Sequence, residues 1–380
     1  MSGPPPVGVY VHWPYCARIC PYCDFNVVRD RGQAEQTVLA AAILNDLENQ
    51  AAMAGPRRLE SVFFGGGTPS LMDPIWVGTM VDAARRLFAA DGEPEVTLEA
   101  NPTDAETGRF AAFAAAGVNR LSLGVQALDD SALAFLGRNH SAAEAIRAVE
   151  VARGVFARVS LDLIYARPGQ GPDAWEGELR AAAALGPEHI SPYQLTIEAG
   201  TAFDRAVRRG GWRPPGPELG ADLYETTQQV LGELGYEAYE VSNHARGAGA
   251  RSRHNLIYWR GQDYLGVGPG AHGRLTLARG RVATRAAPRV ADYIARVAAG
   301  GTGWIEQEAL TPLQAAEERL LMGLRTLEGV ELEALAPIGV RSDALEALRE
   351  AGLVRLEARR LIATPAGRPV LDRVIAELAA

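Results

Sequence analysis

From residue 7 to about residue 245 the chain repeats one pattern, a short apolar run followed by a longer alanine-rich amphipathic stretch. The short runs fall at 7–13, 61–64, 95–99, 120–125, 159–164, 191–197 and 236–241, and the long ones at 34–52, 75–89, 103–116, 142–153, 174–185 and 218–234. Such alternation predicts an α/β fold with a parallel sheet, because successive parallel strands need a crossover long enough to hold a helix. Polar residues recur just past the strand ends, where barrel active sites gather, so a curved, partial (β/α) barrel is expected in place of a flat doubly wound sheet. At 380 residues, 47% of them hydrophobic, the chain has enough material for one large domain and an appendage.

The rhythm breaks after residue 245. The stretch 246–273 is rich in glycine, arginine and aromatics, and 246–310 is expected to form long loops or irregular strands. From Thr311 a capped helix ("TPLQAAEERLLMGLR") leads to a second helix ("SDALEALREAGLV"), a two-strand wing ("RLEARRLIATPAG") and a final helix. That order predicts a small winged-helix-like α+β domain. The expected division is therefore 1–245, 246–310 and 311–380.

Composition removes several functions. All 38 basic residues are arginine, which excludes a P-loop lysine, a Schiff base and a lysine general base. The net charge of −8 argues against a nucleic-acid-coating protein, so the terminal module is expected to serve packing or partner contact rather than DNA. No secretory signal and no run long enough to span a membrane is visible. Cytoplasmic residence is the expectation, and a monomer and a homodimer are both open.

All three cysteines, Cys16, Cys20 and Cys23, lie in "WPYCARICPYCDF" just past the first expected strand. They cannot build a disulfide framework, and they suit a reducing compartment. Zinc could be held with a histidine such as His12, yet structural zinc sites usually pair two short hairpins and no second C-x-x-C is present. Three thiolates better suit a [4Fe–4S] cube, one per iron, with the fourth iron open to an outside ligand. Further along, "FFGGGTPS" ends the second strand with consecutive glycines that let backbone approach a ligand. Glu99, Gln126 and Asp162 end the third, fourth and fifth strands, and Arg138 offers a fork suited to a carboxylate.

Together the stretches "VYVHWPYCARICPYCDF", "FFGGGTPS", "EANP", "LGVQ", "DLIYARPGQ" and "SPYQLTIE" resemble the oxygen-independent coproporphyrinogen III oxidase family of radical S-adenosylmethionine (SAM) proteins, over nearly the whole chain. The resemblance implies a [4Fe–4S] cluster on Cys16, Cys20 and Cys23. It further implies SAM contacts from Tyr10, Tyr22, Gly66, Gly67, Thr68, Glu99, Gln126, Arg138, Asp162 and Gln194. The oxidases carry a fourth cysteine where Phe25 stands and a longer arm ahead of the first strand, here only "MSGPPP". Both departures weigh against decarboxylation of coproporphyrinogen and toward the family's haem-chaperone branch, whose mark is the string H-N-x-x-Y-W. It reads here as His254, Asn255, Tyr258 and Trp259 and implies haem contacts, with His244, His272 and His140 as rival ligands. The implied function is transfer of haem to acceptor haemoproteins, some of them at membranes. The alternatives are a working oxidase and a zinc- or DNA-binding regulator.

Overall fold

The computed structural model describes residues 3–30 and 32–379. Its centre is a twelve-stranded sheet. Six parallel strands follow one another in chain order: β1 (Pro6–Trp13), β2 (Arg58–Gly66), β3 (Glu95–Ala100), β4 (Arg120–Gln126), β5 (Arg158–Tyr165) and β6 (His189–Gln194). Each follows from an apolar-polar alternation. Val7, Val9, Val11, Val62, Phe64, Val96, Leu98, Leu121, Leu123, Val159, Leu161 and Ile190 are all buried in the main core. The intervening positions place Thr97, Glu99, Arg120, Ser122, Ser160, Asp162, His189 and Ser191 on one cleft.

The crossover helices include α1 (Gln33–Ala54), α2 (Pro74–Leu87), α3 (Ala142–Val155), α4 (Pro172–Ala184) and α5 (Pro217–Glu233). Their starts follow from local chemistry. The Asp73 carboxylate accepts the Ile75 N–H with Pro74 in the first turn, and Ser141 with Glu144 closes a capping box. The helix expected over 103–116 is two short pieces, Asp104–Thr107 and Phe110–Ala115, interrupted at Gly108–Arg109.

Two expectations change beyond residue 235. The run 236–241 is not a further parallel strand. Its residues Glu237–Ala238 form a two-residue edge strand (β7) antiparallel to β8 (His244–Ala245), and Glu240 bridges antiparallel to Thr326. The segment 246–310 is regular rather than irregular. It holds helix α6 (Arg253–Trp259), strand β9 (Asp263–Val267), strands β10 (His272–Leu277), β11 (Gly280–Ala286) and β12 (Trp304–Ala309), and helix α7 (Val290–Gly300). The seventh parallel strand is β9, which pairs with β1 on the side away from β2. The sheet order β12-β11-β10-β9-β1-β2-β3-β4-β5-β6-β8-β7 never closes, so the barrel is partial.

The C-terminal module packs α8 (Pro312–Gly323), α9 (Ser342–Glu350) and α10 (Leu371–Ala379) on a small sheet of β13 (Val330–Glu331), β14 (Val354–Glu357) and β15 (Arg360–Ala363). The wing turns at Ala358 and Arg359, with φ of 47° and 66°, the backbone of a two-residue hairpin turn. It is winged-helix-like, as expected.

A buried network fixes the turn after β9. Tyr293 of α7 donates its hydroxyl to Asp46 of α1 at 2.7 Å and accepts the Gly268 N–H at 2.9 Å, while Gln50 donates to Asp46 and to the Gly266 carbonyl. Tyr293→Phe leaves a buried carboxylate and a buried N–H each short of a partner. We expect a loss of about 1–3 kcal/mol in urea unfolding, with no change in secondary structure by circular dichroism.

Candidate functional site

The ends of β2–β6 and the loop carrying the three cysteines enclose a cleft of about 480 Å³. The cysteine loop is held from several sides. Val28 and Asp30 donate backbone N–H groups to Pro14 and Cys16, and Phe203 donates to the Pro21 carbonyl. The Asn26 side chain donates to the carbonyls of Pro269 and Pro288, at 2.8 and 2.9 Å. The Asn26 carbonyl, which can only accept, is 2.8 Å from His12 Nε2. His12 therefore carries its proton there and accepts the Tyr10 hydroxyl at Nδ1, 3.0 Å away.

The glycine turn presses against the same loop. Gly67 donates to the Trp13 carbonyl and Thr68 to that of Tyr15. A Cβ on Gly67 would lie 2.7 Å from the Tyr15 oxygen and 2.8 Å from the Pro14 carbonyl, an approach that no side chain permits. Gly66 has φ of 105°, and its N–H reaches Glu99 Oε2 at 3.2 Å. The turn after the second strand is thus tied to the cysteine loop through backbone contacts, and the Glu99 carboxylate ties the third strand to the second.

Most of the expected residues converge here. Cys16, Cys20, Cys23, Tyr22, Gly66, Gly67, Thr68, Glu99, Gln126, Arg138, Asp162, Gln194 and Asn255 all line the cleft. Arg138 places Nη1 3.3 Å from Cys20 Sγ and Nη2 on the Gly124 carbonyl and on Asn101. Its fork is turned to the cysteine loop and to the end of β4. Gln126 follows a bulge and takes φ of 67°, a conformation costly for a non-glycine residue and typical of ligand clamps. Burial, then the neighbouring Asp162, pushes Glu99 up to about 8. Burial likewise raises Asp162 to about 6 against hydrogen bonds from Ser122 and Ser191. Two adjoining buried carboxylates with raised pKa values are a site for a cation.

The cleft also fits a multi-atom cluster and a polar ligand. Three thiols enter it. Gln126 Oε1, Thr97 Oγ1 and His189 Nδ1 are buried there without a protein partner, the mark of a site completed by something else.

Tyr10, His254, Tyr258 and Trp259 do not line the cleft. Tyr10 stands behind it against Phe63, their rings 6.2 Å apart. His254 is buried under Phe63, with Nδ1 2.8 Å from Ser61 Oγ and Nε2 2.7 Å from the Tyr258 hydroxyl. Burial drives it down to about 3. Both ring nitrogens are engaged, so in this structure the imidazole presents no lone pair to an iron. Trp259 instead meets the C-terminal module, where the Arg325 guanidinium lies 5.1 Å from its ring. Within the string, Asn255 alone faces the cleft.

The rival histidines are elsewhere too. His140 is buried with Nε2 on the Val125 carbonyl, His244 is buried in β8, and His272 is exposed on β10. Sequence reading passed over the histidine that does line the cleft, His189, together with Thr97, Asn101 and Tyr193. Their signal is the period-two placement of polar residues along β3 to β6, where Glu99 aligns with Ser122, Ser122 with Ser160 and Ser160 with His189.

Comparison with known proteins agrees with this geometry. Residues 10–182 match the radical SAM superfamily and residues 310–370 the HemN C-terminal domain. The mitochondrial radical S-adenosyl methionine domain-containing protein 1 of Bos taurus is 40% identical, over 97% of this chain and 86% of that protein. Proteins named haem chaperone HemW are 42% identical in Escherichia coli, over 73% of this chain and 72% of the relative, and 36% in Mycobacterium tuberculosis, over 98% and 95%. The solved coproporphyrinogen III oxidase HemN of E. coli superposes with a TM-score of 0.82 at 21% identity, covering 99% of this chain and 91% of the other, a likeness of fold. The chain thus belongs to the radical SAM superfamily, in the family that joins the haem chaperone HemW to radical S-adenosyl methionine domain-containing protein 1.

Proposed function

We propose that the protein is a cytoplasmic haem chaperone that carries a SAM-ligated [4Fe–4S] cluster, binds haem and hands it to acceptor haemoproteins. The observation that carries this reading is similarity along almost the entire chain to a protein named for that activity. Phe25, where the oxidases place a further cysteine, supports it. Among the described residues no helix is long and apolar enough to cross a membrane.

In this reading Cys16, Cys20 and Cys23 hold three irons. Gly66–Thr68, Glu99, Gln126, Asp162 and Gln194 orient SAM, and Arg138 steadies the loop beside Cys20. When bound, the pair supplies one-electron chemistry, reductive cleavage of the sulfonium. The chain's own residues would bind the cation and hold the cysteine loop in place.

Anaerobic reconstitution should yield brown protein with about four irons per chain, and Cys16→Ser, Cys20→Ser or Cys23→Ser should each abolish the colour. Colourless, zinc-loaded protein contradicts the reading.

A cationic ligand pairs with the charged forms of Glu99 and Asp162, whose pKa values are about 8 and about 6. SAM affinity should therefore fall as pH drops through 8 and again through 6. Glu99→Gln should remove the upper step and weaken binding about tenfold. Calorimetry between pH 5.5 and 9 checks this on the order of a single pH unit, and pH-independent binding removes the carboxylates from the site.

Added haem should give a Soret band that moves to an apo-haemoprotein on mixing. Formation of protoporphyrinogen from coproporphyrinogen, SAM and a reductant would instead make the protein an oxidase.

A further inference from the structure

Large apolar side chains grouped at the rim of a polar cleft mark an interaction surface. Ile19 is 46% exposed, Phe25 61% and Tyr193 41%, and all three line the mouth of the cysteine cleft. Phe25 is not on a slack tip. The next residue, Asn26, is fastened by its side chain to Pro269 and Pro288 and by its carbonyl to His12. The benzyl group is thus presented outward by a fixed backbone, on the same loop as Ile19.

Arg18, exposed beside Ile19, lines the same mouth and has no hydrogen-bond or ion-pair partner among the described residues. Asp24 shares the rim, so this is not a uniformly basic patch that would draw a polyanion. The mouth pairs an aliphatic and two aromatic surfaces with one free cation. That combination matches a flat apolar ring system bearing carboxylates at its edge. The cleft itself, about 480 Å³, is in the range of a single small-ligand pocket, and in the haem-chaperone reading SAM and the cluster occupy it. A macrocycle therefore lies across the mouth rather than inside it.

From these observations, and resting on the haem-chaperone reading, we propose that haem seats on the rim formed by Ile19, Phe25 and Tyr193, with a propionate on Arg18. The seat lies over the cysteine loop, so cargo and cluster share one opening.

The test uses the full chain, reconstituted anaerobically and saturated with SAM, titrated with ferric haem and followed at the Soret band. Ile19→Ser combined with Phe25→Ser should weaken haem binding about tenfold or more, since both remove apolar surface that the ligand covers. Both positions are exposed and contribute no thiol, so iron content and melting temperature should match the parent and report that the loop is intact. Arg18→Ala should weaken haem several-fold while leaving the affinity for haem dimethyl ester unchanged. Parent-like haem affinity in the double variant overturns the seat, as does an Arg18→Ala effect of equal size on haem and its diester. If the parent takes up no haem at all, the chaperone reading itself falls. If the parent binds haem and the rim variants bind it equally, only the seat falls.

Discussion

The cost of burying charge inside a sheet governs this structure. Parallel strands covered by helices are usually apolar on both faces, yet here the inner face carries Glu95, Glu99, Arg120 and Asp162. At the deep end the cost is met internally. Arg120, fully buried, donates to Ser160 and to the Ala250 carbonyl and lies beside Glu95, which also receives Arg158 and the His254 N–H. Removing one member of such a group strands the others, so the deep end is committed to structure. At the mouth the cost is left open. Among the described residues Glu99 and Asp162 make no ion pair, although Arg120 and Arg138 act on Asp162 from further off, and Gln126 keeps an unpaired oxygen. The same sheet is therefore self-sufficient at one end and dependent on a ligand at the other.

Helix α6 makes the division concrete. Its four marked residues have separate tasks. His254 fills the space between β1 and β2, Tyr258 completes its hydrogen bonding, Asn255 reaches the cleft and Trp259 meets the C-terminal module. Arg260, just beyond, makes a two-point contact with Glu328 of that module. A string that invites a metal-ligand reading by its histidine is, in space, a peg that joins barrel floor and appendage.

Much of this was legible in the sequence. The first six parallel strands, five of the crossover helices, the capped start of α8 and the cysteine loop all follow from local periodicity and local caps. What escaped depends on distant partners. Strand β9, "DYLGV", is short and contains a glycine, and its identity comes from pairing with β1 across the chain. The run 236–241 has strand-like residues but takes its bonds from Tyr239 and Glu240 to Leu327 and Thr326. His254 looks like a ligand until Ser61, 193 residues away, appears on its Nδ1. The polar side chains of the cleft were partly visible, since a period of two along β3 to β6 separates them from the core. Reading strand ends alone found Glu99, Gln126 and Asp162 and missed Thr97 and His189, which lie deeper on the same face.

The position of β1 between β2 and β9 also sets an order of assembly. The cysteine loop is clamped by partners more than two hundred residues further along the chain. Asn26 waits for Pro269 and Pro288, and Val7–Val11 wait for Asp263–Val267. Contacts of such long sequence separation form slowly and late in folding. The three thiols are near one another in sequence while the segment that clamps their loop is distant. Pairing of the closing strand with β1 is thus what turns a locally folded loop into a fixed one.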